Sequence, residues 1–318
     1  MAILTYSISS DLERILNNIE QLKKQILLTP ISPRSELRLK WEATLEKIFW
    51  SLSFGDRSLK KSQIVKILTK ANIKKTKTQE KEVVNYKQAL DYISSEWLIV
   101  NKNITSQTII NLYDLACKPT MGPDLKSFKK TKKNLDYFLE YIQTGSINPI
   151  IQAGIANIQL MAISPFKQGS GRVSRLLNYL ILYKNAYDFR GFVVIDEYFR
   201  KDLTSLKIAM ENVPKTKTLS RWLEYFATGV ETQLNQALKI VTETKYSTDL
   251  PFSFWRLNDR QRSILNYLDQ PGVNISNKKV QQMFKISQIT ASRDLAKLVS
   301  LNLLFSHGKG RSVYYTKV

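Results

Sequence analysis

Apolar residues return every three or four positions along the first three quarters of this chain, and that period leaves room for little except packed helices. Leu12, Ile15, Leu16, Ile19, Leu22 and Ile26 make one stripe, and Leu37, Trp41, Leu45, Ile48 and Phe49 a second. Val83, Tyr86, Leu90 and Ile93 make a third, and Phe128, Leu135, Phe138, Leu139 and Ile142 a fourth. An amphipathic helix gains most of its stability by burying such a stripe against another. The spacing therefore predicts an all-helical bundle, and 43% hydrophobic content over 318 residues is ample for its core.

The pattern changes at the polar stretch Thr244 to Phe252, which contains Pro251. We read it as a boundary: a helical domain over 1–245 (N-terminal helices 1–50, core from about 51 to 245), a linker over 246–256, and a second domain over 257–318. Within the second domain the spacing predicts a helix from Arg260 to Asp269, broken by Pro271-Gly272. A short helix capped by Ser276 follows, running through Val280 and Phe284, then a third from Ile289 to Leu298. Leu303 to Phe305 and Val313 to Tyr315 read as strands around a Gly-rich basic hairpin, His307 to Arg311. The expected fold class is thus mainly α, a helical bundle followed by a small α+β domain.

Charge narrows the partners. Lys plus Arg number 48 against 27 Asp plus Glu, a formal net charge of +21, with lysines spread along the chain. That balance favours polyanions, nucleic acid above a membrane surface. The single cysteine, Cys117, permits no intramolecular disulfide or Cys cluster, and the one histidine, His307, stands near the C-terminus. No stretch approaches the roughly 20 apolar residues of a membrane span, and Met1 to Arg14 has polar and acidic residues where a secretory segment would need an apolar run. A cytoplasmic location without a membrane partner is expected.

The chemistry-bearing stretch is Ile163-Ser164-Pro165-Phe166-Lys167-Gln168-Gly169-Ser170-Gly171-Arg172-Val173-Ser174-Arg175, a Gly-punctuated loop leading into an apolar helix expected from about Leu176. Glycines let backbone N–H groups approach an anion closely, the helix start adds its positive dipole end, and Arg172 and Arg175 lie one turn apart. A bare Gly-x-Gly-Arg fits a tight turn before a core helix equally well.

The order of residues resembles the signature loop of Fic-domain proteins, His-x-Phe-x-(Asp or Glu)-Gly-Asn-Gly-Arg-x-x-Arg, most of which transfer AMP from ATP to a protein hydroxyl. Phe166, Gly169, Gly171, Arg172 and Arg175 match. Ser164 stands in place of the catalytic His, Gln168 in place of the metal-binding carboxylate and Ser170 in place of the phosphate-binding Asn. The resemblance extends over most of residues 45–240, through Pro149 to Leu160, Glu80 to Ile93, Tyr198-Phe199 and Trp222 to Phe226. It implies that Phe166, Gly169, Ser170, Gly171, Arg172 and Arg175 form a nucleotide site for ATP or another nucleotide, with Gly169, Gly171 and Arg172 on the α- and β-phosphates and Arg175 on the γ-phosphate.

It also implies impaired catalysis. A serine cannot act as the general base, a loss of about 10² to 10⁴ in rate. A neutral Gln168 amide is a poor magnesium ligand, so no metal residue is assigned. Ser51-Leu52-Ser53-Phe54-Gly55-Asp56 resembles the family's self-inhibition motif, with Ser51 retained, Gly55 where the Glu belongs and Asp56 adjacent. Between the Glu80 to Ile93 segment and the loop the family has a β-hairpin flap, whereas Lys118 to Lys133 is short, strongly basic and without alternating strands.

The C-terminal segment resembles the winged helix-turn-helix domains fused after Fic cores in bacteria, notably at Thr290 to Leu298 and Gly308-Lys309-Gly310-Arg311. The resemblance implies DNA contacts by Gln288, Thr290, Ser292, Arg293 and Lys297 on the third helix and by Lys309 and Arg311 on the wing. From Arg256 to Val318 there are 11 Lys plus Arg against three Asp plus Glu, an excess suited to phosphates. Two functions stay open at this point: a nucleotide-binding, DNA-binding regulator with little AMP transfer, or an active protein adenylyltransferase using a non-standard base. A bundle that only dimerises the winged segment is a third, since such regulators usually read paired half-sites. The protein target is not specified by any of these.

Overall fold

The computed structural model describes residues 4–55, 59–69, 78–145, 147–246, 257–268, 273–301, 303–308 and 313–317. The expected order of a helical body and a small mixed segment is what the chain adopts. The first helix, α1 (Ser10–Leu28), starts where Ser9 Oγ accepts from Leu12 N at 3.1 Å, with Asp11 and Glu13 beside the positive helix end. All six residues of its stripe are buried.

Helix α2 (Pro33–Leu52) is capped by Ser32 and led in by Pro33. Its buried face is not the stripe expected from hydrophobic spacing. Leu39, Ala43, Lys47, Ile48, Ser51 and Leu52 point inward, while Leu37, Trp41, Leu45 and Phe49 are half-buried. Lys47 turns the helix: its Nζ donates to Asp188 Oδ2 at 2.7 Å and to the Gly191 carbonyl at 3.0 Å, all inside the protein. A buried ammonium needs such partners, and apolar periodicity cannot see them.

Next come α3 (Lys61–Leu68), α4 (Thr78–Glu96), α5 (Ser106–Ala116) and the single turn α6 (Lys118–Met121). Helix α7 (Leu125–Ile142) follows, so the basic region expected to lack a strand pair is helical. The centre of the body is the hairpin of α8 (Pro149–Ile163) and α9 (Ser170–Lys184). Helix α8 is buried on nearly every side, from Ile150 and Ile151 to Leu160.

At Gly154 the third wall comes close: a Cβ there would lie 2.8 Å from Leu223 Cδ2, and Trp222 Nε1 donates to the Gly154 carbonyl at 2.7 Å. That wall is α12 (Ser220–Tyr246), preceded by α10 (Ile195–Lys201) and α11 (Leu203–Thr216). Helix α1 is fastened to α12 by Ser9 Oγ to Glu224 Oε1 at 2.5 Å and Asn18 Nδ2 to Glu231 Oε1 at 2.9 Å.

A second apolar cluster gathers Leu257, Ile264, Leu265, Leu268, Ile275, Val280, Ala291, Leu295, Leu298, Leu303 and Leu304. It is built by α13 (Asp259–Tyr267), β1 (Ile275–Ser276), α14 (Asn277–Phe284), α15 (Gln288–Ser300), β2 (Leu304–His307) and β3 (Tyr314–Lys317). The sheet is antiparallel in the order β1-β3-β2, with Ile275 opposite Tyr315 and His307 opposite Tyr314. The two-residue β1 has too little sequence to show alternation, and it adds a strand to the expected hairpin. Ser276 ends β1 and caps α14, its Oγ accepting from Lys279 N. His307, expected within the turn, closes β2 instead, with Nε2 2.8 Å from Thr316 Oγ1.

Candidate functional site

The α8–α9 connection is a short loop held from three sides. Helix α8 stops at Ser164, whose backbone is left-handed at φ 47° and ψ 63°. Helix α9 starts earlier than its apolar residues suggest, at Ser170 behind Gly169. Gly171 and Arg172 therefore lie in the first helical turn and not in the loop, because no Pro or β-branched run delays the helix. Gly169 has φ +92°, and a Cβ on it would meet Cys117 Sγ at 2.8 Å. Only glycine fits both demands.

Internal contacts fix the loop. Ser170 Oγ donates to the Phe166 carbonyl at 2.8 Å and accepts from Phe166 N at 3.1 Å, closing a small ring. Ser164 Oγ donates to the same carbonyl at 3.3 Å. The Phe166 ring is only 2% exposed and stacks on Tyr113 at a centroid distance of 3.8 Å, with Phe128 at 5.7 Å.

Asp124 was not visible as a site residue. It caps α7 through Ser127 N, and its Oδ2 accepts from Lys167 N at 2.6 Å, which holds its carboxyl below the usual range. The Gly-Pro-Asp lead-in at residues 122–124 marks a cap but not this cross-link. Beside it a cleft of about 540 Å³ is lined by Tyr113, Met121, Pro123, Asp124, Lys126, Lys167 and Gln168.

Both motif arginines are gripped. Arg172 Nη2 pairs with Glu82 Oε1 at 3.1 Å and its Nη1 donates to the Ala116 carbonyl at 3.3 Å. Arg175 Nε donates to Ser51 Oγ at 2.9 Å and Nη2 to the Ser51 carbonyl at 3.0 Å. Its guanidinium lies 4.4 Å from the centroid of the Phe54 ring, and Nε is 3.7 Å from Asp196 Oδ2. The resemblance to the self-inhibition motif singled out Ser51 and Gly55, and the structure brings Ser51 to Arg175. Gly55 makes no side-chain contact, Phe54 stacks instead, and Asp56 lies outside the described residues.

Behind Arg175 lies a buried polar pocket of Ser51, Tyr86, Tyr179 and Asp196. Burial pushes the Asp196 carboxyl up to about 6, against the opposing pull of Arg175. In the unfolded chain the group titrates near ~3.9. Between those values the folded state holds a proton that the unfolded state lacks, so stability is expected to fall as pH rises from about 4 to 6. Asp196→Asn should flatten that fall, a result read from urea midpoints at pH 4.5 and pH 7.

The anion half of the loop suits a phosphate. The first turn of α9 has no side-chain cap, and a Cβ on Gly171 would meet only Arg175 Nη1, at 3.6 Å. Gln168 offers a neutral amide, and among the described residues no group of three or more His, Cys, Asp or Glu could hold an ion. Burial raises the Cys117 thiol to about 11, which leaves it inert beside the loop.

At the other end, Gln288, Ser292 and Arg293 lie exposed along α15. Thr290 is half-buried and its N–H is taken by Ser287 Oγ, the α15 cap. Lys297 is half-buried in the last turn. Lys309 and Arg311 lie outside the described residues. Ile289 was not among the candidates, yet it is 65% exposed between Gln288 and Thr290. Asp294 orients α15 from below, accepting from Arg260 Nε at 2.9 Å and Gln261 Nε2 at 2.6 Å. No helix among the described residues is long and apolar enough to cross a membrane.

Residues 104–182, from the start of α5 nearly to the end of α9, match the Fic/DOC family. The fold is similar to that of a Fic family protein from Desulfovibrio desulfuricans G20, with a TM-score of 0.64 and 14% identity over 98% of this chain and 97% of that one. Fic-1 from C. elegans gives a TM-score of 0.59 at 18% identity, covering 72% of this chain and 71% of that one. A Fic domain containing signaling protein from Bacteroides thetaiotaomicron VPI-5482 gives 0.54 at 16% identity, covering 74% and 98%. At these identities the likeness speaks for a Fic-type helical fold alone, and the segment that matches the Fic/DOC family includes the loop.

Proposed function

We propose that this protein is a Fic-like, nucleotide-binding regulator that contacts DNA through its C-terminal segment and transfers AMP weakly or not at all. The observation that carries the reading is Ser164. It stands at the end of α8 where a Fic loop has its proton acceptor, and its hydroxyl is turned onto the Phe166 carbonyl. A hydroxyl has no basicity near neutral pH, and Gln168 supplies no charge for a cation. What remains is a cradle for anions: uncapped amides at the start of α9, Gly169 in its left-handed conformation, and Arg172 and Arg175 within one turn. ATP or another nucleotide would be held there without magnesium chemistry supplied by this chain.

The DNA half of the proposal rests on the order α13, α14, α15 and a terminal β2–β3 hairpin, which is that of a winged helix-turn-helix. Gln288, Ser292 and Arg293 lie on the exposed side of the third helix, where base edges would be met. The proposed domain limits, 1–245 and 257–318, draw support from two apolar clusters that share no residue. The purified chain, incubated with labelled ATP and with duplex fragments flanking its own gene, is expected to bind duplex without labelling any protein. Arg293→Ala should weaken duplex binding about 5- to 150-fold, the worth of one good base contact. Robust labelling of a protein by the wild-type chain would favour the adenylyltransferase reading instead.

A further inference from the structure

Helix α7 carries a surface that, apart from Lys126 at the rim of the cleft, neither the nucleotide loop nor α15 accounts for. Lys126, Lys129, Lys130 and Lys133 are all exposed, and Tyr137, one turn farther on, is 63% exposed. At about 100° per residue these five positions fall within one arc of roughly 100°, opposite the buried Phe128, Leu135, Phe138 and Leu139. They span about 16 Å of helix.

None of the four lysines has an acidic partner among the described residues. The acids nearest them are engaged elsewhere, and Glu140 lies about two turns beyond Lys133. Asp136 is bonded to Lys132 at 2.6 Å on a neighbouring face, Asp114 to Lys118, and Asp124 is turned onto the Ser127 and Lys167 backbone. Lys167 lines the same cleft as Lys126. The stripe ends at the exposed Glu140.

Four unpaired ammonium groups in line would hold a phosphodiester backbone, and a protruding aromatic ring at the end of the row is what bases stack on. An acidic peptide would use the lysines but has no need of the ring. We infer that the exposed face of α7 binds single-stranded nucleic acid, with Lys126, Lys129, Lys130 and Lys133 on the phosphates and Tyr137 stacked on a base. Such a site is separate from the duplex contacts proposed for α15 and stands or falls independently of them.

The test is fluorescence anisotropy with a labelled 15-nucleotide oligo(dT), using the full chain in wild-type and Arg293→Ala backgrounds. Replacing all four lysines by Gln, itself a good helix former, should lower the slope of log K against log salt by about 3, at ~0.7 per phosphate contact. Tyr137→Ala should weaken oligo(dT) binding roughly 5- to 150-fold with the salt slope unchanged, and Tyr137→Phe should restore it. Neither α7 change should alter duplex binding. The inference is overturned if oligo(dT) affinity follows Arg293 and ignores the lysines. It is equally overturned if Tyr137→Ala has no effect while poly-glutamate displaces the oligonucleotide, which would mark a site for acidic peptides. Equal loss of duplex and single-strand binding in the four-lysine variant would make the stripe belong to a duplex footprint and also refute it.

Discussion

Ser164→His combined with Gln168→Asp is expected to raise AMP transfer from ATP to protein by about 10² to 10⁴-fold over the wild-type chain, the range that a positioned general base contributes. The backbone can accept the change. Residue 164 sits at φ 47°, a left-handed conformation in which His is among the more tolerated residues. Little is lost on removing the serine, since its 3.3 Å bond to the Phe166 carbonyl duplicates the shorter one from Ser170. An aspartate at 168 would add a carboxylate at the rim of the cleft, where the present amide has no charge for magnesium. Label from the α-phosphate of ATP, followed into protein over time, measures the outcome. A rate no higher than that of the wild type would mean that the cradle itself, and not only its base and metal ligand, has been lost.

Phe166→Ala should lower the stability of the chain by about 3 to 5 kcal/mol, the usual loss for a fully buried aromatic ring. The ring fills the space between α5 and α7 against Tyr113 and Phe128, so its removal opens a cavity under the loop. The Ser170 ring of hydrogen bonds is backbone-based at residue 166 and survives. Denaturant unfolding of the two chains gives the difference, and Phe166→Leu should cost clearly less. A loss below about 1 kcal/mol would show that the loop does not belong to the core.

The helical stripes were legible in sequence because each needs only the residues it contains. Helices α1, α4 and α7 bury the positions that hydrophobic spacing selects. Helix α2 does not, since Lys47 and Ser51 face inward toward partners more than a hundred residues away in sequence. The loop's special residues could likewise be named in order, from Ser164 to Arg175. Their restraints could not: Glu82, Asp124 and Asp196 come from three other helices or their caps, and no local pattern marks a carboxylate that will meet an arginine or an amide across the fold. The lysines of α7 were visible as a basic run, but their alignment with Tyr137 on one face requires the helix to be in place. Strand β1 escaped for the opposite reason, being two residues long and defined by its partner β3.

The hold of Ser51 and Phe54 on Arg175 makes the end of α2 a participant in whatever the loop binds. A ligand that draws this guanidinium onto a phosphate must first break a pair of hydrogen bonds and a ring contact, the bonds formed 124 residues upstream. Its apparent dissociation constant then exceeds the intrinsic one by the reciprocal of the fraction of molecules already released. Reciprocity follows: a change that loosens the α2 terminus would tighten such a ligand's hold, and the bound ligand would loosen the terminus.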